Sequence, residues 1–227
     1  MKAGAAQPLL SARFMAATQR TAVSKTVVAG HTFVVMKGVF SPHFFGSTKI
    51  FTRALMGERL GHFLEIGCGT AATTCSLLLA GSATTAVCTD INPLAAANAK
   101  LNIRRYRLGS RAKVYRSDLF RAIPNQRFDA IYWNSPFINS RFMNLSTRLL
   151  ERALYDPGYR KHIEFFDVAR RYLSSSGFLY LGFGDFGDRL ALQRIVRKFG
   201  WRLDRTWSSA SEENAPVRFE LLRYVLK

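Results

Sequence analysis

The chain has 227 residues, 48% of them hydrophobic, which is enough to bury one substantial core and short for two. No apolar run approaches the roughly 20 residues of a membrane span, and Cys68, Cys75 and Cys88 form neither an even set nor a C-x-x-C pair, so disulfide and metal frameworks are poorly supported and a reducing, cytoplasmic compartment is expected. The formal charge of +18 is distributed: residues 100–127 carry nine basic side chains against the single acid Asp118, and residues 1–57 carry no acid, so the surface either attracts polyanions or merely solvates its outer helices.

Residues 1–24 are rich in Ala, Ser, Thr and Arg, a composition that suits either an organellar import segment or a helix covering a substrate cleft. The β-branched runs 26–28 and 32–36, separated by Ala29-Gly30, read as a hairpin, and 1–37 is expected to form an N-terminal cap on a main domain over 38–227. Residues 47–56 read as a helix. A regular alternation follows: strand 63–66, helix 71–79, strand 84–89, then a helix over 93–102 opened by Asn92 with Pro93 at its first position. Short strands are expected at 113–116 and 128–133, a helix at 163–173 ending in 174–177, a strand at 178–183 and a helix at 188–199. Two last strands, 202–207 and 218–226, flank a polar loop. Strands alternating with helices imply a mostly parallel Rossmann-like α/β sheet covered on both faces, and the final helix-free pair implies an antiparallel edge.

Four strand ends carry the chemistry. Phe63-Leu64-Glu65-Ile66-Gly67-Cys68-Gly69-Thr70-Ala71 is a strand running into a glycine turn and a helix, where a ligand can approach backbone amides. The spacing also fits a dinucleotide fingerprint, so a nicotinamide-dependent oxidoreductase stays open. Glu65 ends an otherwise apolar strand and needs a polar partner, either a ligand ammonium or a local amide or arginine. Asp90, in Thr89-Asp90-Ile91-Asn92-Pro93, ends the second strand where a carboxylate accepts both hydroxyls of a ribose, or caps the next helix. Asp118 in Ser117-Asp118-Leu119-Phe120 either accepts from an adenine amino group or serves the turn. Finally, Trp133-Asn134-Ser135-Pro136-Phe137 offers an Asn oxygen and a neighbouring carbonyl to the two hydrogens of an acceptor NH2, pointing the nitrogen lone pair at an electrophilic methyl; alternatively it only terminates the strand. Phe137 suits stacking on a planar acceptor.

In this order the four segments resemble class I S-adenosylmethionine-dependent methyltransferases, in particular the group holding the release-factor glutamine methyltransferases and the small-domain RNA methyltransferases. The resemblance spans about 38–183 and includes Gly38-Val39-Phe40-Ser41-Pro42 with Ser47-Thr48, which match the loop lying over the cofactor. It implies that Thr48, Glu65, Gly67, Cys68, Gly69, Asp90, Ile91, Asn92, Asp118, Leu119 and Asn134 surround S-adenosyl-L-methionine, and that Asn134, Ser135, Pro136 and Phe137 bind the acceptor. The acceptor is expected to be an amide or amino group of a polypeptide or small molecule, with an RNA base as the alternative suggested by charge. A basic binding module on an idle scaffold is the third reading.

Two departures stand out: Ala71 replaces a frequent third glycine, read as a mild change, and Ser135 replaces the first of two prolines, costing the loop rigidity and leaving an oxygen or carbon acceptor open beside nitrogen. The long connection 139–159 is expected to border the acceptor pocket through Arg141, Arg148 and Tyr159. His31, His43, His62 and His162 lack metal-ligand spacing and are read as structural or surface residues.

Overall fold

The computed structural model of the chain describes residues 23–43, 46–139, 149–210 and 217–227. The expected leader or cap in 1–22, and Arg141 and Arg148, lie outside the described residues.

A seven-stranded sheet forms the body. In chain order after a separate hairpin of β1 (Ser24–Val28) and β2 (His31–Val35) come α1 (Ser47–Met56), β3 (Gly61–Ile66), α2 (Ala72–Ala80), β4 (Ala83–Asp90), α3 (Pro93–Arg105), β5 (Ala112–Arg116), β6 (Phe128–Asn134), α4 (Arg160–Val168), β7 (Leu173–Gly184), α5 (Arg189–Lys198), β8 (Trp201–Ala210) and β9 (Arg218–Leu226). The spatial order is β5-β4-β3-β6-β7-β9-β8. The pairs from β5 through β7 are parallel, and β7 with β9 and β9 with β8 are antiparallel. The expected parallel body and antiparallel edge are both present. Because chain direction across the sheet reverses between β3 and β6, loops leaving those strands diverge and open a crevice at their carboxyl ends.

Strand alternation sends Phe63 and Tyr132 to one face and Leu64 and Ile131 to the other. The first face is covered by α1, α2 and α3, with Phe51, Leu55, Leu77 and Ile103 buried there. The second is covered by α4 and α5 through Phe165, Phe166, Leu192 and Ile195. Both faces are therefore apolar, which is why β3, β6 and the end of β7 read as continuous hydrophobic runs.

Element boundaries differ from expectation where long-range bonds intervene. The helix expected at 163–173 begins at Arg160 and stops at Val168, followed by a 3-10 turn over Ala169–Arg171. Phe128 N donates to Tyr172 O at 2.8 Å, and the Arg127 guanidinium donates to the carbonyls of Arg170 and Leu173. These bonds draw the chain onto β6, so 174–177 is strand rather than helix terminus.

The hairpin is not part of the sheet. Its β2 edge is bonded by side chains spaced four apart on α3: Asn98 Oδ1 accepts from Met36 N, Asn102 Oδ1 accepts from Val34 N, and both amide nitrogens donate to Val34 O. Asn102 Nδ2 also reaches Thr70 O at 3.0 Å. Tyr106 OH, a further four residues on, donates to Thr32 O. Asn98 and Asn102 are fully buried, so these bonds satisfy polar groups that would otherwise cost about 1–3 kcal/mol each.

Candidate active site

A cavity of about 560 Å³ opens where β3 and β6 diverge. It is large enough for a nucleoside ligand with an acceptor group beside it. The residues that the resemblance places around the cofactor and at the acceptor all line it, from Thr48 on α1 through the turn after β3 to Phe137 after β6.

The turn after β3 places Gly67 at φ +64 and Gly69 at φ +53. These left-handed values admit glycine without strain. Ala71 also sits at φ +57, immediately before α2. Its replacement of glycine is therefore not the mild change expected from packing, because a Cβ in the left-handed region costs on the order of 1 kcal/mol.

Glu65 ends β3 with 4% exposure, and its Oε2 accepts from Thr74 N (3.1 Å) and Thr74 Oγ1 (2.5 Å) in the first turn of α2. One oxygen thus has the local amide partner foreseen as the alternative to a ligand, while the residue still borders the cavity. Burial pushes its carboxyl up to about 7, against the lowering effect of the Thr74 bonds. Asp90 ends β4 and holds two backbone amides, Gly69 N on Oδ2 and Asn92 N on Oδ1, both at 2.9 Å. It cross-links the glycine turn to the next loop. Burial raises its pKa too, opposed by those two bonds. Asn92 caps α3 through Leu94 N and donates to Gly38 O, anchoring the 38–43 segment whose Phe40 and Pro42 border the cavity.

Cys68 lines the cavity, and its hydrogen bond to the Cys88 sulfur, together with burial, holds its thiol well above the usual range. Asp118 lies across the cavity with its Oδ2 accepting from Lys161 Nζ at 2.7 Å, and Lys161 also bonds Glu164 at 2.8 Å. An adenine at Asp118 would share that carboxylate with Lys161. Ile91 and Leu119 add apolar wall, Leu119 from a left-handed backbone position at φ +51.

On the acceptor side, Asn134 ends β6 with its Nδ2 3.5 Å from Ser47 Oγ. Ser135 Oγ donates to Gly182 O at 2.7 Å. Phe137 packs edge-on against Phe183 and Phe219, so its ring is half-buried wall. The 149–157 segment forms the opposite wall, with Arg152, Tyr155 and Asp156 on the cavity. Tyr159 does not touch it, contrary to expectation. It is 1% exposed, donates through its hydroxyl to Phe137 O at 2.6 Å and accepts from Asp188 N at 2.8 Å. The side chain is a strut beneath the acceptor loop, because the left-handed Gly158-Tyr159 turn folds it inward.

Sequence reasoning missed Asp156, His162, Lys161 and Gly182. An acid before a helix was the one available signal for Asp156. Gly182 lets β7 pass where a Cβ would come within 2.5 Å of the Phe51 ring and 3.1 Å of Asn134 Oδ1. Among the described residues no group of His, Cys, Asp and Glu could hold a metal, the three cysteines are free, and no helix is long and apolar enough to cross a membrane.

The strand order, with a glycine turn and acids at the ends of β3 and β4, defines a Rossmann-like domain of the methyltransferase type. The chain belongs to the methyltransferase small domain family, whose model matches residues 30–187. That membership replaces the nicotinamide-dependent oxidoreductase left open by the glycine turn. Among curated relatives, the release factor glutamine methyltransferase of Aquifex aeolicus is 25% identical over 74% of this chain and 63% of its own length. The ribosomal RNA small subunit methyltransferase C of Shewanella pealeana is 34% identical over 47% of this chain and 30% of its own. This chain spans less than two thirds of the length of these relatives. A solved structure of SMU.776 complexed with SAH (S-adenosylhomocysteine) shares the fold at TM-score 0.67 and 12% identity, covering 89% of this chain and 55% of that one.

Proposed function

We propose that the chain transfers a methyl group from S-adenosyl-L-methionine to the nitrogen of an amide or amino group borne by a polypeptide or small molecule. The observation that carries this reading is the sharing of one cavity by two desolvated carboxylates, Glu65 and Asp90, and by Asn134 at the end of β6. A cation is the ligand that offsets the desolvation of Glu65. The cofactor supplies a positively charged sulfonium whose methyl carbon is the electrophile.

Asn134 and the Ser135 carbonyl accept the two acceptor hydrogens and orient the nitrogen lone pair for in-line attack. Held beside Glu65 and Asp90, the cofactor would supply the methyl carbon that bonds to the acceptor nitrogen as its bond to sulfur breaks, with the electron pair left on sulfur and the nitrogen's extra proton passing to water. No strong base is needed, in keeping with a wall whose cavity-facing thiol is held protonated.

A second reading, an RNA base amine as acceptor, is favoured by Arg152 and Arg160 on the cavity wall in a chain of net charge +18. The test uses S-adenosylmethionine with a tritiated methyl group and separate protein, RNA and metabolite fractions. Label is expected in one fraction and at least about 100-fold less of it with Asn134→Ala. Undiminished labelling by that variant removes the nitrogen-acceptor reading.

A further inference from the structure

Behind the acceptor loop stand three buried side chains that the methyl-transfer reading does not use. Asp156, His162 and Ser135 are 3%, 0% and 2% exposed. The Asp156 carboxylate accepts from the backbone N–H of Lys161 (3.1 Å) and of His162 (2.9 Å) at the start of α4, which fixes it in place. His162 Nδ1 lies 2.7 Å from Asp156 Oδ2, and Nε2 lies 3.1 Å from Ser135 Oγ. The ring is flanked by Trp133 and Tyr159 at centroid distances of 4.9 and 4.4 Å.

The protons can be assigned from partners alone. Gly182 O has none, so the single hydroxyl proton of Ser135 lies on the 2.7 Å line to that carbonyl. The serine oxygen then faces His162 Nε2 with a lone pair, so the 3.1 Å contact is a hydrogen bond that the ring donates. A hydrolytic Ser-His-Asp triad has the same three residue types in the same sequence of bonds, but there the serine proton goes to the imidazole. Here a carbonyl holds it, so Ser135 is not an activated nucleophile.

We propose that His162, anchored by Asp156, is a positioning residue for the acceptor loop: it locks Ser135 against β7 so that Asn134 and the Ser135 carbonyl keep a fixed angle to the acceptor nitrogen. This rests on the nitrogen-methylation reading above. It also accounts for the serine standing where the resembling family has proline. A proline fixes its own φ by a ring, whereas Ser135 is fixed through its side chain by bonds to two elements, β7 and α4.

His162→Asn keeps a group on the Asp156 side but does not reach Ser135, whereas His162→Gln keeps a donor at the reach of Nε2. With tritiated-methyl S-adenosylmethionine and the protein, RNA and metabolite fractions used above, His162→Asn and Ser135→Ala are each expected to lower the labelling rate roughly 10–100-fold, with S-adenosylhomocysteine affinity unchanged. The double variant should lose no more than the worse single one, since both remove the same bond. His162→Gln should recover most of the loss. Additive losses, equal Asn and Gln variants, or cofactor affinity falling in step with rate would overturn the proposal. If Asn134→Ala abolishes labelling while His162→Asn labels at the wild-type rate, the positioning role fails alone; if Asn134→Ala labels like wild type, the underlying reading fails. Nitrogen NMR of histidine-labelled protein tests the contact independently of any acceptor: a slowly exchanging Nε2–H signal at His162 that loses protection in Ser135→Ala is expected, and an Nε2 without hydrogen sinks the proposal.

Discussion

The two halves of the cavity are held by different means. Around the turn after β3, carboxylates grip backbone amides of the same β3–β4 unit: Glu65 holds Thr74, and Asp90 holds Asn92 and Gly69. Around the loop after β6, side chains grip side chains and carbonyls from other elements, Ser135 with Gly182 on β7 and with His162 on α4. The first grip closes within the β3–β4 unit alone and shapes the turn that borders the cavity. A distant grip exists only once β7 and α4 have docked, so acceptor geometry depends on the completed fold.

The sharpest way to break this contrast is at Asp90. Asp90→Ala releases two amides at once and leaves them in a desolvated turn, so S-adenosylhomocysteine affinity should fall by about 100-fold or more in a calorimetric titration. Near-normal affinity would show that the turn holds itself. Next in size is Gly182→Ala, whose Cβ would overlap the Phe51 ring and crowd Asn134. A loss of about 1–3 kcal/mol in urea unfolding is expected, with methyl transfer impaired more than cofactor binding; equal impairment of both would merge the two halves.

Proton linkage gives a smaller effect. Glu65 is raised to about 7 in the fold, so its contribution to stability is fully present below its ordinary value of 4.5 and is lost as pH rises through 7. A bound ammonium favours the ionised form and expels that proton. Cofactor affinity should therefore rise up to about tenfold per pH unit below 7 and level off above. Titration at pH 6.5 in buffers of unlike ionisation heat should detect proton release, and its absence would place the ammonium elsewhere. The least effect is expected for Ala71→Gly, which relieves a left-handed alanine and should stabilise the fold by about 0.5–1 kcal/mol. A destabilised variant would mean that the Ala71 methyl, fully buried, contributes more in packing than it costs in strain.

Sequence legibility follows the same division. The glycine turn, Asp90 and the Asn92 cap were readable because each acts within a few residues of itself or at the end of an apolar strand. The sheet was readable because both its faces are buried. Asp156, His162 and Gly182 were not, since a histidine and a glycine acquire their roles only from what the topology sets beside them. The Tyr159 expectation failed for a related reason: an aromatic in a long loop reads as exposed until a left-handed turn folds it inward.

Asn102 joins the hairpin, through Val34, to Thr70, next to Gly69 and the ligand seat. One fully buried amide thus ties the hairpin to the backbone of the turn that borders the cavity, so the hairpin and the cavity floor share a single anchor.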